Sequence, residues 1–134
     1  MLNSKNIFFK KKILIYGLGK SGLSTYQYLK NKSELYLFDD KKNFIKDKDI
    51  KKNIIKYEDI KIKKFDHIII SPGIDVNKCI LSNYLNKNLN KINTDLDVFY
   101  SLYKINKNIT ITGTNGKSTT VKILHNVLKD QKFD

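Results

Sequence analysis

Two short stretches of the chain combine glycine with residues suited to holding phosphate. Gly17-Leu18-Gly19-Lys20-Ser21-Gly22 fits the pattern G-x-G-x-x-G, and Gly113-Thr114-Asn115-Gly116-Lys117-Ser118-Thr119 contains G-K-S. Glycines let the backbone turn tightly, so a phosphate can approach main-chain N–H groups at the start of a helix, where the helix dipole favours negative charge. Beyond the first loop, Asp39 offers a carboxylate where ribose or base donors are commonly accepted. The alternative for this loop is a tight strand-to-helix turn with no ligand, and the loop alone does not say which nucleotide it would hold. In the second loop the backbone would cradle phosphates, Lys117 would meet the β and γ oxygens, and the Ser118 hydroxyl would reach Mg²⁺. The common form of that loop has a further glycine where this chain has Ile111, so a chance G-K-S-T is the alternative there.

Both loops need a strand before them and a helix after them, and the apolar pattern supplies these. Ile13-Leu14-Ile15 within Lys12–Tyr16 is too short for a helix and suits a strand buried on both faces. Leu23, Tyr26 and Leu29 recur at a helical spacing after Gly22. Leu35–Phe38 is a second strand ending at Asp39-Asp40, and Asn53–Tyr57 is a weaker candidate for a third. Asp66–Ile70 is another buried strand, closed by Ser71-Pro72-Gly73, where the single proline of the chain enforces a turn.

A helix with Ile80, Leu81, Tyr84, Leu85 and Leu89 on one face follows, then a short extended piece at Lys91–Asn93. Thr94–Tyr103 reads as a connecting helix with Leu96, Phe99, Leu102 and Tyr103 inward. Asn108–Thr112 reads as a strand running into the second loop, and the last helix carries Val121, Leu124, Val127 and Leu128. Strand and helix alternate, which indicates an α/β fold, a Rossmann-like mainly parallel sheet with helices on its faces. The expected domains are residues 1–93, and residues 94–134 as the opening of a second, incomplete domain built on strand, phosphate loop and helix.

With 134 residues, one ordinary domain fits and a second complete one does not. The hydrophobic share of 40% and charged share of 29% are those of a globular protein, which excludes disordered and fibrous classes. No apolar run reaches the roughly 18 to 20 residues of a membrane span, and Met1–Lys12 lacks the apolar core of a secretory leader, so a cytoplasmic location is expected. Cys79 is the lone cysteine, which rules out an internal disulfide and leaves it as a small, partly buried side chain. The net charge of +13 raises nucleic acid as a partner, but the chain has no arginine and spreads its 26 lysines over nearly every surface segment. Base reading favours the arginine fork, so neither a nucleic-acid nor a membrane partner is expected.

Thr112–Thr119 matches without a gap the ATP loop T-G-T-N-G-K-[ST]-[ST] of the Mur ligases, and the chain resembles that family over nearly its whole length. The first loop continued to Ser24, then Phe38-Asp39, then Ser71-Pro72-Gly73-Ile74, are similar to the branch that adds D-glutamate. The resemblance implies that an amino-terminal domain binds a UDP-sugar peptide and that the second loop opens a central ATPase domain. It places Gly19, Lys20, Ser21, Gly22, Asp39, Asp40, Lys41, Ser71, Pro72 and Gly73 around a UDP substrate. At Asp40 and Lys41 the family often has a hydroxyl residue and an arginine.

The same resemblance puts Gly113, Thr114, Asn115, Gly116, Lys117, Ser118 and Thr119 on ATP, with Lys117 catalytic and Ser118 or Thr119 in a partial Mg²⁺ site. The implied reaction is amide ligation: the carboxylate of UDP-N-acetylmuramoyl-L-alanine takes the γ-phosphoryl group of ATP, and the amine of D-glutamate attacks the acyl phosphate. The remaining metal ligands, a modified lysine and the D-glutamate domain would follow Asp134, so the chain is expected to be inactive alone, and the full-length enzyme a monomer. His67 and His125 are expected to be surface or packing residues. The rivals are another Mur or folylpolyglutamate ligase, an NAD-dependent oxidoreductase using the first loop, and a basic nucleic-acid module.

Overall fold

The computed structural model describes residues 6–41, 47–103 and 107–131, which fall into two compact units, Met1–Lys104 and Ile105–Asp134. Residues 1–5 of the segment read for a leader lie outside the described residues. The first unit is built on four parallel strands: β1 (Lys12–Tyr16), β2 (Glu34–Phe38), β3 (His67–Ile70) and β4 (Ile92–Thr94), in the spatial order β2-β1-β3-β4. Tyr16 pairs in register with Phe38 on one side and Ile70 on the other, so three strands finish level. The chain leaves β1 for one neighbour and later returns to pair on its other side. The winding therefore reverses between β1 and β3, and it is outside the carboxyl ends of strands at such a reversal that open α/β sheets take ligands.

Alternate strand residues feed two separate cores, as the twofold side-chain period requires. Ile13, Ile15, Leu35, Leu37 and Ile69 pack with Tyr26 and Leu29 of α1 (Lys20–Leu29). Leu14, Tyr16, Phe38, Ile68 and Ile70 pack on the opposite face. The first core is closed by Ile50 of α2 (Lys48–Lys51) and the second by Ile60 of α3 (Tyr57–Ile62). Leu81 and Leu85, at and within α4 (Ser82–Asn86), complete the second layer, and Val98 of α5 (Asp95–Leu102) completes the first. These strands are continuous apolar runs because a sheet covered on both sides has no face left for polar residues.

The parallel α/β sheet matches the sequence expectation, and several elements differ in detail. Asn53–Tyr57 is not a strand: it makes a single bridge, Ile54 beside Leu37, and α3 begins at Tyr57. The helix expected around residues 80–89 is shorter, with Ile80 and Leu89 more than half exposed. In α5 the inward stripe is Asp95, Val98 and Leu102, while Leu96, Phe99 and Tyr103 face outward. The stripe is set by what the helix lies on: α1 on one side, and on another Asn6, whose amide donates to the Ser101 hydroxyl at 2.8 Å. The boundary expected between residues 93 and 94 falls within β4, and the compact units part after Lys104.

In the second unit, residues 108–112 form no strand, and α6 (Lys117–Asp130) has no buried residue. A strand exists only by exchanging hydrogen bonds with a neighbouring strand, and among the described residues no sheet ladder includes 109–112. Val121 and Val127 are 51% and 52% exposed, so the roughly 1.5 to 3 kcal/mol per side chain that full burial provides is largely unrealised. A helix of this length is marginal in water without such packing. Amide hydrogen exchange of the chain is therefore expected to show Ile13–Tyr16 protected by at least about a hundredfold over Val121–Leu128. Equal protection would mean that the helix draws stability from burial absent here.

Candidate functional site

At the carboxyl ends of β1, β2 and β3 lies a cavity of about 530 Å³ lined by Gly17, Gly19, Lys20, Ser21, Asp39, Asp40, Lys41 and Ser71 through Ile74. Three segments far apart in sequence meet here because the sheet register brings their strands to one level. Of the ten residues expected around the first ligand, all but Gly22 line it. A larger cavity, about 630 Å³, sits beside β2 and α2 and contains none of these residues. Size does not identify the site here; the convergence of loops at the strand ends does.

The rim is hydrogen-bonded into shape. The Gly17 N–H donates to the Phe38 carbonyl at 2.9 Å, the Ser71 N–H donates to the Tyr16 carbonyl at 2.9 Å, and the Ser71 hydroxyl donates to the Gly17 carbonyl at 2.8 Å. Ser71-Pro72-Gly73-Ile74 is a turn closed by the Ile74 N–H on the Ser71 carbonyl at 3.0 Å, with proline at the position whose N–H is not needed. Gly17 has φ +91°, and a Cβ there would meet Ser71 Cβ at 2.8 Å. A Cβ on Gly22 would lie 1.9 Å from the Gly17 carbonyl oxygen. Gly22 thus acts from below the cavity by letting α1 press against the loop, and Gly19 faces open space.

The two adjacent carboxylates differ in their partners. Asp39 Oδ2 accepts the Leu18 N–H at 2.6 Å and Oδ1 accepts the Lys41 N–H at 2.8 Å, so this side chain clamps the glycine loop to the exit of β2. Its remaining lone pairs are what it has for a ligand. Asp40 is exposed and accepts from the hydroxyl of buried Tyr16, at 2.9 Å to Oδ1 and 3.0 Å to Oδ2. Burial is the main cause that raises the Tyr16 pKa, with the bonds to Asp40 and Cys79 adding to it, so the phenol keeps its proton and remains a donor. Tyr16 escaped the sequence reading because it sits in an apolar run. Its signal is a hydroxyl at the end of the aliphatic run Ile13-Leu14-Ile15, which must find a partner when buried. Lys20 and Lys41 add positive charge to the same cavity, and α1 is preceded by Gly19, which has no side chain to cap its first N–H groups.

The second loop, in the other unit, has Gly113 at φ +145° and Gly116 at φ +78°, both in the region that favours glycine. Gly116 caps α6 without a side-chain hydrogen bond, so the first N–H groups of that helix are not taken by a capping side chain. The Lys117 ammonium donates to the carbonyls of Gly113 and Thr114, folding back over its own loop, and residues 113–119 are exposed throughout. This geometry fits a phosphate chain: uncapped helix donors, an ammonium beside them, and the hydroxyls of Ser118 and Thr119 following.

His67 packs against Phe8 with tilted rings whose centroids are 4.8 Å apart, and its Nδ1 lies 3.2 Å from the Asn93 amide nitrogen. Burial lowers its pKa. His125 is exposed on α6. Among the described residues no three His, Cys, Asp or Glu side chains gather around either histidine. Cys79 is half-buried beside the Val76 carbonyl, and among the described residues no helix is long and apolar enough to cross a membrane.

Residues 11–93 match the family described as Mur ligase MurD-like, N-terminal domain. The chain is similar to the UDP-N-acetylmuramoylalanine--D-glutamate ligase of Rickettsia prowazekii (strain Madrid E), 36% identical over 132 residues that cover 96% of this chain and 29% of that ligase. It is 32% identical to the ligase of the same name from Oenococcus oeni (strain ATCC BAA-331 / PSU-1), over 92% of this chain and 27% of the relative. The corresponding Francisella tularensis subsp. tularensis ligase is 36% identical over 89% of this chain and 26% of its own length. The chain thus spans less than a third of these relatives. No solved structure matches it.

The rim geometry separates residues that shape the cavity from those that face into it. Gly22→Ala is expected to destabilise the first unit by about 3 kcal/mol or more through backbone overlap, and Gly19→Ala to stay within about 0.5 kcal/mol. Asp39→Ala, which strands the Leu18 and Lys41 N–H groups, should lose roughly 1.5 to 3 kcal/mol. Urea unfolding of the three variants checks all three values.

Proposed function

We propose, from the premise that this chain belongs to the Mur ligase family through its MurD-like amino-terminal domain, that it serves an ATP-dependent ligase of peptidoglycan precursor synthesis. The ligase joins D-glutamate to UDP-N-acetylmuramoyl-L-alanine, the reaction named in its relatives. The observation that carries this reading is the cavity at the strand reversal, where the glycine loop, Asp39–Lys41 and Ser71–Ile74 converge. Its two sides suit the two halves of a nucleoside diphosphate. Lys20, Ser21 and the uncapped start of α1 favour a pyrophosphate, while Asp39 and Asp40 accept from N–H and hydroxyl donors and repel further phosphate.

The second loop belongs to the same reading. The alignment with the Rickettsia prowazekii ligase covers 96% of the chain, which leaves no room for it to stop at residue 93. ATP bound there would supply the phosphoryl group that turns the substrate carboxylate into an acyl phosphate open to the amine. For this chain's residues, the task is to hold the phosphates: the N–H groups of Lys117–Thr119 donate, the Lys117 ammonium swings from the Gly113 and Thr114 carbonyls to neutralise charge, and Ser118 or Thr119 offers a hydroxyl to Mg²⁺.

Titration calorimetry tests both sites. UDP-N-acetylmuramoyl-L-alanine is expected to bind and NADH not to; NADH binding with no response to the UDP compound would overturn the reading. Lys117→Ala should weaken MgATP binding by about ten- to a hundredfold while leaving the UDP compound unaffected. An equal loss at both would assign Lys117 to the fold.

A further inference from the structure

The Tyr16 hydroxyl has no packing reason to exist. Its ring lies among Leu14, Phe38, Ile68, Ile70 and Leu81 in the second core, 5.4 Å from the Phe38 ring centroid, and phenylalanine would fill that space as well. A buried hydroxyl is unfavourable unless it is partnered, and this one is aimed out of the core at the carboxylate of Asp40. Asp40 stands on the cavity wall, exposed, at the end of β2. An aspartate in that position is free to turn between rotamers, and fixing it on ligand binding would oppose the binding. The phenol spans both carboxylate oxygens, which leaves their outer lone pairs available to a ligand.

We propose that Tyr16 is a positioning residue of the nucleotide cavity, holding Asp40 in one orientation so that Asp40 is the carboxylate that receives the N–H or O–H donors of the nucleoside. The division of labour between the two neighbours follows from their partners. Asp39 is committed to the Leu18 and Lys41 N–H groups and keeps the loop in place, whereas Asp40 is held by a single side chain from the core and faces the cavity. The raised pKa of Tyr16 agrees with this, because burial and the nearby carboxylate keep the proton on the phenol. The inference rests on the reading of the cavity as a uridine-nucleotide site.

A double-mutant cycle on the 134-residue chain, read as the Kd for UDP-N-acetylmuramoyl-L-alanine, tests it. Tyr16→Phe is expected to weaken binding about three- to tenfold and Asp40→Ala about tenfold or more, and the double variant should bind as Asp40→Ala does. Asp40→Asn, which leaves the core untouched, should reproduce the Asp40→Ala loss. Losses that multiply in the double variant, or unchanged binding by Tyr16→Phe or Asp40→Asn, would overturn the proposal while leaving the uridine site in place. A Tyr16→Phe chain that no longer melts cooperatively would assign the hydroxyl to the fold and overturn it too. If the unaltered chain did not bind the UDP compound, the functional reading would fall, and this inference with it.

Discussion

The backbone of Gly17 is where the three strand ends of the sheet are tied together. Its N–H is spent on the Phe38 carbonyl at the end of β2, and its carbonyl receives the Ser71 hydroxyl from the end of β3. The same carbonyl oxygen lies where a Cβ on Gly22 would be, so the peptide also sets how closely α1 approaches. With φ at +91°, the residue that does this must tolerate a left-handed backbone. Parallel sheets place their loops at one end, but they do not by themselves hold those loops at fixed separations. Here the backbone of one residue, Gly17, does so, and the cavity is the space left over.

On that frame the charged residues divide the cavity electrically. Asp39 and Asp40 stand together at the end of β2, while Lys20 and Lys41 bring cations to the same walls. Neither carboxylate forms a close ion pair with the lysines that share the cavity. Asp39 is satisfied by backbone N–H groups and Asp40 by a phenol, so the lysines remain available to phosphate. A chain with a net charge of +13 could have surrounded this cavity with lysine alone; instead a pair of acids sets acceptors beside the cations.

Much of this was legible in the residues. β1, β2 and β3 could be read because a strand buried on both faces is an unbroken apolar run such as Ile68-Ile69-Ile70, and the glycine loop could be read because its spacing has one steric meaning. The strand expected at 108–112 does not form for a physical reason: its isoleucines and threonines have strand propensity, but a strand needs a partner that local sequence cannot specify. Of the residues expected inward on α5 only Leu102 is so placed, because apolar residues occupy more than one side of the helix and only the packing of Asn6 and α1 decides among them. The role of Tyr16 was hidden more deeply. Nothing local joins it to Asp40, and the contact exists only because β1 and β2 are paired in register.

The lone bridge between Ile54 and Leu37 bears on how the molecule meets copies of itself. A parallel sheet has two margins, and each exposes main-chain groups on which another chain could grow. On the β2 margin, the backbone of Asn53 and Ile55 takes up the N–H and carbonyl of Leu37, which caps the ladder midway, and Glu34 with its ion pair to Lys12 charges the remainder. The β4 margin is kept to three residues. The stretch that falls short of being a fifth strand therefore occupies the main-chain groups at the middle of that edge, where an added strand would have to pair.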